Sequence, residues 1–226
     1  KTNFIATISH ELKTPLASSD FSLKLLEDER TGKLNDEQKE LVQNLKDDNG
    51  RLLKILSELL DLSQVESGRL QLDMDAITPV NIVERSLDAV LNSARQKNIS
   101  IKTNTESNLP LIKADKEKTS WVLINLLNNA IKYSPADTEI TITMKQDNSM
   151  VLFIVTDQGN GIEEKYLARI FDRYFKVPGP GVFGSTGLGL AICKEFMEAQ
   201  GGTIQAQSIA GKGSVFSFSL PVADKV

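Results

Sequence analysis

Two rhythms of apolar residues divide this chain, and the break between them near residue 70 restricts its architecture more than any other feature. Ile5, Ile8, Leu12, Leu16, Leu23 and Leu26 keep three- and four-residue spacings, or multiples on the same face, as in a long amphipathic helix. Leu41, Leu45, Leu52, Ile55, Leu59 and Leu62 repeat the pattern. Between the two runs, "DERTGKLND" is polar and contains a glycine, which suits a hairpin connection. The second helix should cover about 30 residues, roughly 45 Å. Leu53, Leu56 and Leu60 widen its apolar face beyond what one partner helix can cover. A second copy would complete a dimeric four-helix bundle. Ser67–Gly68, within "ESGRLQL", breaks the helix, so we expect a helical hairpin over 1–67 and a second domain over 68–226.

Past the joint the pattern is mixed. "VNIVERSLDAVLNSARQ" and "EKTSWVLINLLNNAIKY" read as helices, with strands at "ISIKTNT" and "LIKA". "TEITITMKQ" and "MVLFIVTD" flank a polar "DNS" turn, a hairpin signature. A third helix, "GLGLAICKEFMEAQ", stops at Gly201–Gly202, and a last hairpin turns at Gly211–Gly213. Two hairpins and three helices predict an α+β two-layer sandwich. The formal net charge of −4 disfavours nucleic acid as a partner. No apolar run approaches the ~18 residues that span a membrane, and no signal peptide is seen. The single cysteine, Cys193, cannot form an internal disulfide, which fits a reducing compartment and core packing. Helical periodicity is already running at Lys1, so we expect a fragment whose N-terminal part is missing.

Three clusters in the second domain carry possible chemistry. In "NLLNNAIKYS", Asn125 and Asn129 lie at i and i+4, and Lys132 extends their face. Asparagine is disfavoured inside helices, yet its carbonyl oxygen can complete a Mg²⁺ shell when phosphates supply the charge. A solvated helix face ending before Pro135 is the plain alternative. In "TDQGNGI", Asp157 follows an apolar strand and can accept a hydrogen bond from an exocyclic amine, while Gly159 and Gly161 permit close backbone approach. A strand-to-helix turn would use the same residues. "GSTGLGLAI" places Gly184, Gly187 and Gly189 ahead of a helix, whose free N–H groups suit an anion. Its spacing matches neither the dinucleotide fingerprint nor the P-loop, so a Rossmann domain is not expected. "FDRYFKVPGPGVF" joins an aromatic anchor, Phe171 to Phe175, to a Pro/Gly-rich stretch with the composition of a mobile flap.

The hairpin adds "ISHELKTPL", with the only histidine, His10. Alone it reads as a solvated helix residue. It lies off the apolar stripe between Ile8 and Leu12 and should be exposed. Pro15 lacks an N–H, leaves the Glu11 carbonyl without its helical partner, and should bend the helix.

Together these segments resemble the catalytic core of a sensor histidine kinase, over essentially all 226 residues. "SHELKTPL" is similar to the family's H box, "NLLNNAIKYS" to its N box, "DQGNGI" and "GSTGLGLAI" to its two glycine boxes, and "FDRYF" to its F box. The resemblance implies a dimerisation and phosphotransfer hairpin followed by an ATP-binding domain of the Bergerat type. It implies autophosphorylation of His10 from ATP with Mg²⁺, then transfer to an aspartate on a response regulator receiver domain. Glu11 would be the base and Thr14, one turn on, would hold a water for phosphatase activity toward the regulator. Adjacent helical side chains do not face each other, so Glu11 would need a particular rotamer or slack at Pro15. Asn125 and Asn129 would hold Mg²⁺, Lys132 would reach phosphate, and Tyr133 would pack by the base. Asp157 would read the adenine amine. Gly159, Gly161, Ile162, Thr186, Gly187, Leu188 and Gly189 would shape the nucleotide loops, with Arg173 and Lys176 near the γ-phosphate. The location implied is cytoplasmic, with any membrane link through the missing N-terminal region.

The sequence departs from the family pattern at Lys13 and Lys176, where arginine is commoner, at Gln200, where histidine is frequent, and at Tyr174, where the second phenylalanine usually stands. Lysine loses the bidentate phosphate contact of arginine. Two other classes stay open: another ATPase of this nucleotide fold, such as a chaperone or mismatch-repair clamp, and a non-catalytic dimeric scaffold.

Overall fold

The computed structural model describes the backbone of residues 2–29, 32–178 and 186–223, and side chains from residue 11 onward within those ranges. The chain divides into two compact units, Lys1–Leu70 and Gln71–Val226.

The first unit is a hairpin of α1 (Thr2–Glu27) and α2 (Asp36–Glu66). Asn35 starts α2 with a capping box. Its side chain accepts the Gln38 N–H at 2.8 Å, and its own N–H donates to Gln38 Oε1 at 2.9 Å. Pro15 lies inside α1, which continues through it. α2 stops where Ser67–Gly68 was expected to break it, with Gly68 at φ +64°. Among the described residues, polar contacts tie the helices together. Lys46 Nζ meets Glu27 at 2.6 Å, and Asn49 Nδ2 donates to the Leu16 carbonyl at 2.9 Å. Leu23, Val42 and Leu62 are buried, whereas Leu12, Phe21, Leu41, Leu45 and Leu52 stay 46–63 % exposed. The hairpin covers only part of its apolar surface.

The second unit runs β1 (Met74–Ile77), α3 (Pro79–Gln96), β2 (Ser100–Thr105), β3 (Ile112–Asp115), α4 (Lys116–Tyr133), β4 (Glu139–Asp147), β5 (Met150–Thr156), α5 (Glu164–Leu167), α6 (Gly189–Ala199), β6 (Thr203–Ile209) and β7 (Gly213–Pro221). Five strands form one mixed sheet in the order β2-β4-β5-β7-β6, and β1 pairs β3 in a separate ribbon. Both expected hairpins are present, β4–β5 and β6–β7. A short fourth helix, α5, was not among the three expected. β1 was not foreseen either, and β2, expected only as a strand, joins the sheet parallel to β4.

Period-two alternation gives the sheet one buried face. Ile140, Ile142 and Met144 of β4, Val151, Phe153 and Val155 of β5, and Phe216, Phe218 and Leu220 of β7 are all at most 6 % exposed. Phe153 and Phe218 are cross-strand partners with stacked rings, centroids 4.7 Å apart. The helical layer contributes Ile82 and Val90 from α3, Leu123, Leu126 and Leu127 from α4, and Ile192 and Phe196 from α6. Each such side chain is worth about 1.5–3 kcal/mol on burial. Buried Gln200 cross-links this layer. Gln200 Oε1 accepts the Asp115 N–H at 2.7 Å and the Thr119 hydroxyl at 3.1 Å, while Nε2 donates to the Phe196 carbonyl. Gln200 thereby ties the start of α4 to the end of α6.

Candidate nucleotide site and phosphoacceptor helix

The polar groups of the second unit collect where the core-facing alternation runs out. On β5 the inward series Val151, Phe153, Val155 continues to Asp157, one residue past the strand, which is 7 % exposed. A carboxylate there needs compensation. The backbone N–H groups of Gly159 and Ser214 both donate to Oδ1, at 2.8 and 3.2 Å. Oδ2 makes no hydrogen bond among the described residues, so its lone pairs are left for a ligand donor. Desolvation raises the Asp157 pKa above the usual carboxylate range, and the two N–H donors partly oppose it.

The loop after Asp157 is locked by close backbone approach. Gly161 adopts φ +66° with its Cα against the Ile209 carbonyl, so a Cβ there would be both strained and blocked. Gly159 lies against the Tyr133 carbonyl, 2.9 Å from where its Cβ would stand. The end of α4 and the first glycine loop are therefore in contact. On α4, Asn125 and Asn129 share a half-buried face, with Asn129 Nδ2 3.4 Å from Asn125 Oδ1. The Asn125 amide packs on Gly189 at the start of α6, 2.7 Å from the position of a Cβ. Lys132 and Tyr133 are exposed beside them, with Nζ 5.1 Å from the ring centroid.

At the other rim, Gly187 (φ +76°) packs against the backbone of Tyr174 and Phe175, and its carbonyl accepts the Tyr174 N–H at 2.9 Å. The Leu188 N–H bonds to Thr186 Oγ1 at 3.1 Å, and α6 has no side-chain cap. Its first-turn N–H groups suit an anion. Tyr174 is 63 % exposed in a left-handed conformation (φ +63°), whereas Phe175 packs under the Arg169 guanidinium at 4.4 Å. Phe175 thus fills the packing position that Tyr174 leaves.

The structure brings Asn125, Asn129 and Gly189 together, and likewise Asp157, Gly159 and the end of α4. Arg173 instead pairs with Glu195 on α6, Nη2 to Oε1 at 3.0 Å, and Lys176 is exposed. Gly184 and most of the Pro/Gly-rich stretch lie outside the described residues, as does the His10 side chain, expected to be exposed. His10 itself falls within α1, where Glu11 and Thr14 are exposed. Sequence reading passed over Ser208, Ser214 and Glu195. The serines had a signal, since both occupy core-facing positions of their strands.

Among the described residues no group of three or more His, Cys, Asp or Glu side chains could hold a metal ion. A divalent cation at this site would take amide oxygens from Asn125 and Asn129, with its charge balanced by a ligand's phosphates. Mg²⁺ tolerates that arrangement.

Comparison with known proteins agrees with this geometry. Residues 114–224 match the family described as histidine kinase-, DNA gyrase B- and HSP90-like ATPase, which defines the second unit as an ATP-binding domain of that class. Residues 1–68 match the His Kinase A phospho-acceptor domain. With both modules in this order, the chain belongs to the sensor histidine kinase family and carries its catalytic core. It is 31 % identical over 225 residues to the circadian input-output histidine kinase CikA of Synechococcus elongatus, covering 98 % of this chain and 30 % of that protein. It is 31 % identical to the sensor histidine kinase WalK of Bacillus subtilis, covering 98 % of this chain and 37 % of that protein. The chain thus spans about a third of these curated relatives. Full-length ShkA in complex with AMPPNP superposes with a TM-score of 0.81 at 28 % identity, covering 100 % of this chain and 47 % of that one. No helix among the described residues is long and apolar enough to cross a membrane.

Proposed function

We propose that this chain catalyses ATP-dependent autophosphorylation of His10 and then passes the phosphoryl group to an aspartate of a response regulator receiver domain. The observation that carries this reading is Asp157. It is buried, held by two backbone donors on Oδ1 and left open on Oδ2, beside a helix that presents two asparagines. Asp157 accepts the adenine amine. Gly159, Gly161 and Ile162 shape the loop beneath the base, and Tyr133 packs beside it. Lys132, Thr186, Gly187, Leu188 and Gly189 address the phosphates. Asn125 and Asn129 would hold Mg²⁺, which neutralises phosphate charge when bound. Arg173 reaches phosphate only by leaving Glu195, and Lys176 supplies a second cation.

A neutral imidazole nitrogen of His10 attacks the γ-phosphorus in line. The bond to the β–γ bridging oxygen breaks and ADP departs with that electron pair. The proton on the other ring nitrogen is accepted by Glu11. Most of the rate enhancement is positioning and charge stabilisation. The exposed leucines and Phe21 of the hairpin are covered by a second copy in a dimeric four-helix bundle, and the receiver docks on the hairpin near His10. This chemistry belongs where ATP is, in the cytoplasm. Division of labour follows the expected domains, 1–67 for dimerisation and phosphotransfer, 68–226 for nucleotide.

Incubation with γ-labelled ATP tests this reading. Wild type should gain acid-labile, alkali-stable label that His10→Gln lacks. Label that survives the substitution, or ATP turnover without label on His10, refutes it and favours another ATPase of this fold. Thr14 positions a water for dephosphorylating the regulator, so Thr14→Ala should lose phosphatase activity and keep the kinase.

A further inference from the structure

Ser208 on β6 and Ser214 on β7 are cross-strand partners at the same end of the core face as Asp157. Alternation puts Ser208 in line with Ile204 and Ala206, and Ser214 in line with Phe216 and Phe218, where apolar residues would be expected. Their hydrogen bonds leave only one consistent assignment. The Gly213 carbonyl can only accept, so Ser208 spends its single hydroxyl proton there, at 2.8 Å. The Ile162 N–H can only donate, and it donates to Ser208 Oγ at 2.8 Å. The remaining contact, Ser208 Oγ to Ser214 Oγ at 3.0 Å, then has one possible sense: Ser214 donates. With its proton spent, the Ser214 hydroxyl offers only lone pairs to any ligand. Its backbone N–H meanwhile holds Asp157 Oδ1, which puts it next to the carboxylate.

We propose that Ser208 is a positioning residue that sets base specificity, by fixing the Ser214 hydroxyl as an acceptor beside Asp157. This rests on the reading that Asp157 receives the amine of adenine. A purine with an amine at that position presents donors to two acceptors. A purine with an oxo group there presents an acceptor to both, and is rejected. If Ser208 could not accept, the Ser214 hydroxyl would be free to turn and donate to the oxo group. Ser208 also links the first glycine loop, through Ile162, to the β6–β7 turn, so one side chain sets both loop position and hydroxyl sense.

The test measures competition of GTP against labelled ATP for His10 phosphorylation in the whole chain. Ser208→Ala should lower the preference for ATP over GTP on the order of ten-fold, the scale of one hydrogen bond reversed in sense. Ser208→Thr, which keeps the hydroxyl, should retain the preference. Ser214→Ala leaves the bonds of Ser208 to Ile162 and Gly213 in place, so it guards against misfolding and should show a similar loss. The two alanine effects should not add, because they remove the same constraint. Equal weakening of ATP and GTP by Ser208→Ala, with the ratio unchanged, would overturn the proposal and leave Ser208 a loop tie. Asp157→Asn separates this failure from that of the underlying reading. If Asp157→Asn keeps full ATP binding, the adenine assignment itself is wrong.

Discussion

Gly189→Ala isolates the asparagine pair from the stability of the fold. Gly189 begins α6 and is not in the left-handed region, so alanine meets no backbone strain there. Its methyl group would stand 2.7 Å from Asn125 Nδ2 and 2.9 Å from Oδ1. Ordinary contact begins near 3.4 Å, so the amide must retreat by about 0.7 Å, and misplacement on that scale can cost up to ~100-fold in rate. Only the far end of a side chain has to move. Alanine in the first helical turn should be neutral to stabilising, by at most about 1 kcal/mol. We therefore expect autophosphorylation at limiting Mg²⁺ to fall by roughly 10- to 100-fold, with partial recovery at high Mg²⁺ and an unchanged or higher Tm. Full activity at every Mg²⁺ concentration would refute the metal role of Asn125. A parallel loss of Tm would mean that the clash is absorbed by the backbone instead.

Three further expectations follow from single contacts. Ionised Asp157 opposes folding, because its folded pKa lies above its unfolded one. That penalty is present at neutral pH and fades as pH falls through the folded pKa, so this group alone makes the unit more stable on mild acidification. Protonation at Oδ2 removes the acceptor, so adenosine affinity should decline over the same window, above the usual carboxylate range. Affinity that holds until that ordinary range would contradict the desolvation account. Gln200→Ala orphans the Asp115 N–H and the Thr119 hydroxyl, both buried, and should cost about 2–3 kcal/mol in denaturant melts of the ATP-binding unit. Glu195→Gln removes the charge that holds Arg173 and should strengthen ATP binding relative to adenosine binding, both read by calorimetry; an unchanged ratio would mean that Arg173 does not reach phosphate.

The long elements were readable because their periodicity is long. α1, α2, α4 and the two hairpins each repeat an apolar spacing often enough to outvote local exceptions. β1 has only "MDAI", with no alternation to detect, and becomes a strand through its register with Ile112–Asp115. β2 presents mostly exposed residues, and its parallel pairing with β4 depends on β3 and α4 carrying the chain across, which no local pattern encodes. The site divides the same way. Asp157 and the glycines stood out because their residue types are unusual next to apolar strands. Ser208 and Ser214 are common residues, and only their register against Phe216 and Phe218 marks them. Glu195 lies 22 residues from Arg173, and nothing local announces the pair.

These cases share a physical pattern. The core of the ATP-binding unit is redundant, with many apolar contacts none of which decides where a functional atom sits. Each functional atom is placed by one or two specific contacts made where the apolar alternation stops. Asp157 is fixed by the N–H groups of Gly159 and Ser214, Asn125 by its packing on Gly189, and Arg173 by Glu195. Gln200 holds together α4, which carries Asn125, and α6, which carries Gly189 and Glu195. Loss of one leucine from such a core lowers stability and leaves the geometry of the remaining site largely intact. Loss of one tie outside the core, such as Ser208 or Glu195, moves a functional group while the fold survives. Substitutions that change nucleotide chemistry without unfolding the domain should therefore concentrate at strand ends and helix starts, and those that unfold it along the Phe153–Phe218 stack.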